Sequence, residues 1–165
     1  MKGFFKFVII ISVFFGLIVH SRYRDVTGVF FNDLEKRTTT DFIIIHHDAI
    51  CRDCSIKEID DFHKIVRGWD SGFAYHYYIS GGKINQVHCA DAVLPNAIGY
   101  NRNAVAVCFH TNDKGEIINQ IELITLIKIL MIKYNIPKDR VKGHCEVNEC
   151  TKCPEIDLNE LRKWL

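Results

Sequence analysis

Near the carboxyl end of the chain, the stretch "GHCEVNECTKCP" contains four residues that can bind a metal ion. They are His144, Cys145, Cys150 and Cys153. Imidazole and thiolate groups are the usual zinc ligands in proteins, and the C-x-x-C spacing of the last two is also compatible with a disulfide or a redox pair. This stretch alone therefore leaves a metal site, a disulfide and a redox motif open.

More histidines follow the apolar run in "FIIIHH", which has the length and β-branched composition of a strand buried on both faces. Adjacent strand residues point to opposite faces, so only one of His46 and His47 can meet a given metal ion. Strand ends converge in an α/β sheet, and His46 could therefore lie beside His144 and Cys153. Two imidazoles and one thiolate form a known catalytic zinc shell, with the fourth position open to water.

The other cysteines offer a rival hypothesis. Cys51 with Cys54, and Cys150 with Cys153, form two C-x-x-C pairs that could build a structural four-cysteine zinc site. The two pairs are far apart in sequence, and an exported chain would favour oxidation of a spare pair. Both points count against the four-cysteine site, although disulfide connectivity cannot be read from the sequence.

The first residues have the pattern of a targeting segment. Lys2 and Lys6 precede "FVIIISVFFGLIV", an apolar run that fits a secretory signal better than a membrane helix, although it could also remain as an anchor. We predict a signal peptide or signal anchor over 1–21. The rest of the chain is then secreted, periplasmic or extracellular, either free or anchored to the membrane.

Composition limits the remaining organisation. The 165 residues, 48% of them hydrophobic, suffice for one ordinary core. Lys plus Arg (21) nearly balance Asp plus Glu (20), and the net charge of +1 gives no electrostatic reason to expect a nucleic-acid partner. The polar segment 22–40 is predicted to be a linker. Residues 41–165 are predicted to form a single domain, and we expect a monomer.

Strand-like and helix-like segments alternate along this domain. "SIKEIDDFHKIVRGW" predicts an amphipathic helix with a capping box of Ser55 and Glu58. "FAYHYYI" and "KINQVH" predict a hairpin turned on "SGG", and "AVAVCFH" predicts a further strand. "QIELITLIKILMIKYNI" predicts a helix covered by protein around most of its circumference. A strand near Val141 and a helix in "DLNELRKWL" complete an α/β fold, with a single mixed central β-sheet flanked by helices.

Five of these segments, in this order, resemble one family. They are "IIIHHDA", "FHKIVRGW", "AYHYYI", "GYNRNAVAVCF" and "GHCEV" followed by "TKCP". From Asp41 to Leu158 the chain resembles the zinc-dependent N-acetylmuramoyl-L-alanine amidases, a group that includes phage amidase-type lysozymes and the peptidoglycan recognition proteins. The resemblance implies the amidase/peptidoglycan-recognition fold. It also implies hydrolysis of the amide between N-acetylmuramic acid and L-alanine, with peptidoglycan or a muropeptide as the substrate.

The resemblance also implies roles for individual residues. His46, His144 and Cys153 would bind one catalytic Zn²⁺, and Tyr75 would face the metal and polarise the scissile carbonyl or the attacking water. Thr151 matches a position that is Lys in phage members and Thr in animal members, and either side chain can donate a hydrogen bond to a developing oxyanion. The loop before Cys153 is one residue longer than in phage members, so Lys152 is the alternative for this role.

Several further residues complete this comparison. Asn96, in "NAIGYN", replaces a histidine that is frequent in the family. Animal members carry a disulfide just after the first ligand strand, which implies a bridge between Cys51 and Cys54. Cys145 could pair with Cys150, whereas Cys108 is expected to be a free thiol in a buried strand. The alternative functions are a peptidoglycan-binding module without turnover and the structural four-cysteine zinc protein.

Two histidines are assigned no catalytic role. His63 lies on the apolar side of the first predicted helix and is expected in the core or in a groove wall. His76 follows Tyr75 and points to the opposite face of its strand.

Overall fold

The computed structural model describes residues 22–27, 34–48, 54–111 and 120–165. The predicted targeting segment 1–21 lies outside these ranges. None of the helices within them has the length and apolar character needed to cross a membrane.

One six-stranded sheet forms the centre of the fold. Its strands are β1 (Tyr23–Asp25), β2 (Phe42–His47), β3 (Tyr77–Ser80), β4 (Lys83–Gln86), β5 (Ala104–Phe109) and β6 (Val141–Gly143). The strand order is β1-β4-β3-β5-β2-β6. Only the hairpin of β3 and β4 is antiparallel, and the other four pairings are parallel. The predicted mixed sheet is confirmed.

In the described ranges, three α-helices accompany the sheet. They are α1 (Ile56–Ile65), α2 (Gln120–Tyr134) and α3 (Leu158–Lys163), and short 3₁₀ turns lie at Lys138–Arg140 and His144–Glu146. The capping box of Ser55 and Glu58 is present at the start of α1, and the Asp157 side chain caps α3. The helices predicted from local sequence signals therefore form where those signals lie.

β2 is buried on both faces, as predicted. Ile43 and Ile45 pack into the cluster that contains Leu126 of α2, whereas Ile44 packs on the other side with Ala97. Successive side chains alternate between the two faces. His46 therefore shares the face of Ile44, which is opposite to the face covered by α2.

A buried carboxylate connects α1 to the segment that follows it. Asp60 is 4% exposed, and its Oδ1 accepts a hydrogen bond from the Phe73 backbone N–H at 2.8 Å. Gly72 has a φ of 69°, and a Cβ at this position would overlap Asp60 Oδ1. Only glycine fits this close approach easily, because L-residues rarely adopt positive φ.

The hairpin strand begins later than its sequence predicts. β3 starts at Tyr77 rather than at Phe73, and Tyr75 precedes the strand. His76 also lies before β3, where its ring accepts the Ala106 N–H at 2.9 Å and contacts the Ala92 carbonyl at 2.8 Å. The ring is completely buried.

The segment 22–40, predicted to be a linker, packs against the domain in its described parts. β1 pairs with β4 in parallel, and Lys36 forms a bridge with Ala92. The Arg37 guanidinium is buried and donates to the Ala92 carbonyl at 2.8 Å. The difference arises because the β4 edge and nearby carbonyl groups need hydrogen-bond partners, which this polar segment supplies.

α2 is less enclosed than its apolar sequence predicts. Leu123, Leu126 and Ile127 are buried against the sheet, but Ile121 is 71% and Ile132 is 83% exposed. The helix packs on one face of the sheet, and no other described element covers its outer side. The prediction that most of its circumference is covered is therefore wrong for the described structure.

We predict that Asp60→Ala lowers the free energy of unfolding by about 1–3 kcal/mol, because the buried Phe73 N–H loses its acceptor. The matched control is Asp61→Ala, which removes a neighbouring exposed carboxylate paired with Lys57. This control should change stability by about 0–1 kcal/mol. Urea unfolding followed by circular dichroism measures both changes, and equal values would contradict the prediction.

Candidate functional site

Three of the residues predicted to bind metal lie together. The candidate ligand atoms of His46, His144 and Cys153 are all within 4.8 Å of one another. Cys153 Sγ lies 3.9 Å from His46 Nδ1, and the two histidine ring centroids are 4.6 Å apart. The structure thus places the predicted ligand set within reach of a single ion.

Strand pairing explains how the two histidines meet. β2 and β6 are parallel neighbours, and Ile45 is opposite Gly143 in their register. The next residue along the chain is a histidine in both cases, so His46 and His144 lie side by side at the same edge of the sheet. The C-terminal edge of parallel strands is a common location for binding and catalytic sites.

Backbone contacts bring Cys153 to the same point. The Cys145 N–H donates to the Cys153 carbonyl at 2.7 Å, which closes the loop between His144 and Cys153. A Cβ on Gly143 would lie 2.9 Å from Pro154 Cδ, so the start and the end of the loop are closely packed. The His47 N–H also points at Cys153 Sγ, at 3.4 Å. His47 thus contacts the candidate ligand through its backbone, and its side chain is not part of the ligand cluster.

Burial sets the protonation of the three candidate ligands. His46 is 1% exposed, and burial lowers its pKa well below the ordinary value, with a further contribution from His144. Burial also lowers the pKa of His144. It raises the pKa of the Cys153 thiol to about 11. Near neutral pH without metal, the two rings are therefore neutral and the thiol keeps its proton.

This donor set suits zinc. Two neutral imidazoles have lone pairs available, and a thiol becomes a strong ligand when it loses its proton to a bound metal ion. Zn²⁺ accepts such mixed nitrogen and sulfur ligands in tetrahedral geometry, and three protein ligands leave one position open.

The other cysteines do not complete a four-cysteine site in the described structure. Cys150 is exposed and is not part of the ligand cluster, and Cys51 lies outside the described residues. Cys145 and Cys150 are both free thiols, so the pairing considered for them is wrong. Their segment is instead held by the backbone bond from Cys145 to Cys153.

The remaining cysteines agree with the predictions where they are described. Cys108 is buried and free, and Cys89 is free. Cys54 is disulfide-bonded. Because Cys51 is not described, its bridge to Cys54 stays a prediction.

The ligand cluster lines an open pocket of about 500 Å³. Tyr75, Thr151 and Lys152 line the same pocket. The rest of the pocket lining includes Phe62, His63, Arg67, Trp69 and Asn96. The sequence did not predict that these residues form one surface. These residues come from α1, from the turn after it and from the "NAIGYN" segment, so only the folded chain shows that they share a pocket.

Tyr75 keeps its proton in this environment. Its ring centroid lies 4.8 Å from that of His46, and burial raises its pKa well above the ordinary value. The ring also packs edge-on against Phe73 at 5.5 Å and His63 at 5.8 Å. Tyr75 can therefore present a hydroxyl donor near the candidate ligands at neutral pH.

His63 forms part of the pocket wall, in agreement with its prediction. Its Nδ1 accepts the Ala74 N–H at 3.2 Å, and its ring lies 5.0 Å from that of Trp69. Burial lowers its pKa to about 4, so the ring is neutral near pH 7. The contacts hold an aromatic wall next to Tyr75.

Thr151 lies next to the candidate ligand loop. Its Oγ1 accepts the Cys153 N–H at 3.1 Å, which leaves the hydroxyl hydrogen free to donate. Lys152 also lines the pocket. Both alternatives for the oxyanion donor thus remain compatible with the geometry.

A mixed sheet with two histidines and a cysteine grouped at one strand edge, below an open pocket, defines an α/β protein with a candidate metal-dependent hydrolytic site. The family model for N-acetylmuramoyl-L-alanine amidase matches residues 36–156, and the chain belongs to this family.

Individual relatives agree with this membership. An endolysin of Escherichia phage T7 is 30% identical over 142 residues, which cover 79% of this chain and 88% of that protein. The solved N-acetylmuramoyl-L-alanine amidase LysC of Clostridium intestinale is 30% identical, has a TM-score of 0.73, and aligns over 86% of this chain and 95% of its own. A point mutant of Drosophila PGRP-LB, solved in complex with tracheal cytotoxin, shares the fold, with a TM-score of 0.69 and 23% identity over 81% and 88% of the two chains.

We predict that Zn²⁺ binding near neutral pH releases about one proton per site, because the Cys153 thiol must lose its proton while both histidines are already neutral. The apparent affinity should then rise about tenfold per pH unit below the thiol pKa. Calorimetric titrations in buffers of different ionisation enthalpy measure this proton count. Cys150→Ser is the matched control and should leave it unchanged, whereas a wild-type protein that releases no proton would contradict the assignment.

Proposed function

We propose that this chain is a zinc-dependent amidase that hydrolyses the bond between the lactyl group of N-acetylmuramic acid and the L-alanine of the stem peptide. The observation that carries this proposal is the grouping of three candidate ligand atoms within 4.8 Å, in a chain that belongs to the N-acetylmuramoyl-L-alanine amidase family. The open pocket beside the cluster provides room for a substrate.

Hydrolysis of an unactivated amide requires a strong nucleophile and stabilisation of the charge that develops on the carbonyl oxygen. When bound, Zn²⁺ supplies Lewis acidity and lowers the pKa of a coordinated water. His46, His144 and Cys153 would hold the ion. A shell with only one anionic ligand leaves net positive charge next to the substrate carbonyl.

Hydrogen-bond donors on the pocket wall would complete the stabilisation. Tyr75 is protonated near neutral pH and lies beside His46, so its hydroxyl can donate to the scissile carbonyl oxygen or orient the attacking water. Thr151 has a hydroxyl hydrogen that its bond with Cys153 does not use. Lys152 would add a positive charge to this side of the pocket.

The substrate class follows from the family and from the pocket. Tracheal cytotoxin, the ligand bound to PGRP-LB, is a monomeric diaminopimelic acid-type peptidoglycan, and we infer that the pocket of this chain accepts a related muropeptide or the polymer. Peptidoglycan lies outside the cytoplasmic membrane, in agreement with the predicted export or anchoring of the chain. A binding module without turnover is the second candidate, but the chain retains three candidate ligands and Tyr75.

The proposal is tested by the release of stem peptides from purified sacculi. We expect release by the zinc-loaded protein, loss of release after chelation, and recovery when Zn²⁺ is restored. Cys153→Ser should abolish release and lower the zinc content, whereas the matched variant Cys150→Ser should retain both. Full activity of metal-free protein would refute zinc dependence. Binding to sacculi without release by the zinc-loaded protein would favour the recognition module.

We predict that Tyr75→Phe slows hydrolysis by ~100-fold or more, the scale of losing one positioned donor, while zinc content and fold are kept. Tyr100→Phe is a suitable control, since Tyr100 packs against Phe42 at 5.1 Å and does not line the pocket. Turnover numbers of both variants on a soluble muropeptide provide the measurement. An unchanged rate in Tyr75→Phe would restrict Tyr75 to a packing role.

A further inference from the structure

Asn96 has a side-chain oxygen that lacks a protein partner. The residue is 6% exposed and lines the pocket. Its Nδ2 donates to the Leu94 carbonyl at 3.0 Å, and its backbone N–H donates to the same carbonyl at 2.8 Å. These two bonds fix the orientation of the amide, so Oδ1 is the end left over. Asn96 Oδ1 is buried and has no hydrogen-bond partner that meets full bonding geometry.

His46 has a matching unpartnered atom. Its Nε2 is also buried and lacks a fully formed hydrogen bond, whereas its Nδ1 lies on the side of Cys153 Sγ, at 3.9 Å. The two side chains line the same pocket, and Asn96 is the hydrogen-bonding group that opposes the lowering of the His46 pKa by burial. Two buried atoms that lack a partner with full bonding geometry, an acceptor and a ring nitrogen, thus belong to side chains of the same pocket.

A histidine that binds metal through one nitrogen almost always donates its other N–H to an oxygen acceptor. That bond determines which nitrogen carries the proton and fixes the orientation of the ring. In His46, a proton on Nε2 would leave the Nδ1 lone pair directed at the ion shared with His144 and Cys153.

We propose that Asn96 is a positioning residue for His46, with its Oδ1 accepting the Nε2–H bond that holds the ring in the metal-binding tautomer. This inference rests on the proposed function only in requiring that the cluster binds Zn²⁺. Asn96 acts through the histidine and does not itself contact the ion.

The rigidity of the surrounding turn supports this role. The Asn101 side chain accepts the Ala97 N–H at 2.8 Å, and the Tyr100 N–H donates to the Ala97 carbonyl at 3.0 Å. Ala97 itself packs against Ile44, two residues before His46 on the same face of β2. The acceptor and the ring are therefore carried by elements that pack directly on each other.

The test measures Zn²⁺ affinity of the full-length chain by chelator competition, independently of catalysis. Asn96→Leu removes the acceptor and should weaken binding about 10–100-fold. Asn96→Asp restores an oxygen acceptor and should bind at least as tightly as the wild type. Asn103→Leu is the matched control, because Asn103 also has a buried Oδ1 without a partner but does not line the pocket. The Zn²⁺ affinity of this variant should equal that of the wild type.

The ¹⁵N spectrum of the zinc-loaded wild type gives a second measurement that needs no variant. We expect His46 to carry its proton on Nε2 and to bind the ion through Nδ1. The opposite tautomer would overturn the inference, as would a folded Asn96→Leu with wild-type affinity or an Asn96→Asp variant as weak as Asn96→Leu. A wild type that binds no Zn²⁺ would instead refute the proposed function, so the two failures are distinguishable.

Discussion

The burial of one imidazole constrains the rest of the site. His46 lies next to the end of β2, a strand that is buried on both faces, and only 1% of the residue reaches solvent. A polar ring in this position loses its hydration, so it stays neutral and each ring nitrogen requires a partner. The described protein places Cys153 near Nδ1 and His144 in the same ligand cluster, and the partner that we propose for Nε2 is Asn96. The whole site can be understood as the set of groups that a buried histidine needs when it binds a metal ion.

The topology of the sheet places these groups close together. The register of β2 with β6 places His144 beside His46, and one backbone bond from Cys145 to Cys153 returns the chain to the same point. Tyr75 comes from the other side, where Asp60 ties α1 to the segment leading into β3. Two of the three candidate ligands therefore leave the ends of paired strands, and the third lies in a loop only ten residues long. Such support limits the movement of the ligand atoms, as a catalytic metal site requires.

Local signals in the sequence predicted the elements, whereas contacts between distant segments needed the fold or the family resemblance. β2 and α1 follow from a β-branched run and a capping box, which are properties of neighbouring residues. The approach of Cys153 to His46 spans 107 residues of sequence and depends on strand register, which no local pattern encodes. β1 escaped prediction because it is a short polar strand stabilised by the edge of β4. The exposed side of α2 differed from expectation because apolar composition does not say how many faces of a helix find a partner.

The burial of His46 also distinguishes a metal-dependent enzyme from a module that only binds. A recognition pocket could use the walls formed by Trp69, His63 and Phe62 without any metal ligand. Burying His46 would then reduce stability without benefit, since an apolar side chain would fill the position at lower free energy. A structural zinc site would instead be closed by a fourth ligand, yet the described cluster faces an open pocket, and Cys150 is exposed and not part of the cluster. A partly buried ligand set with an open side is the arrangement in which the ion can reach both its protein ligands and a substrate.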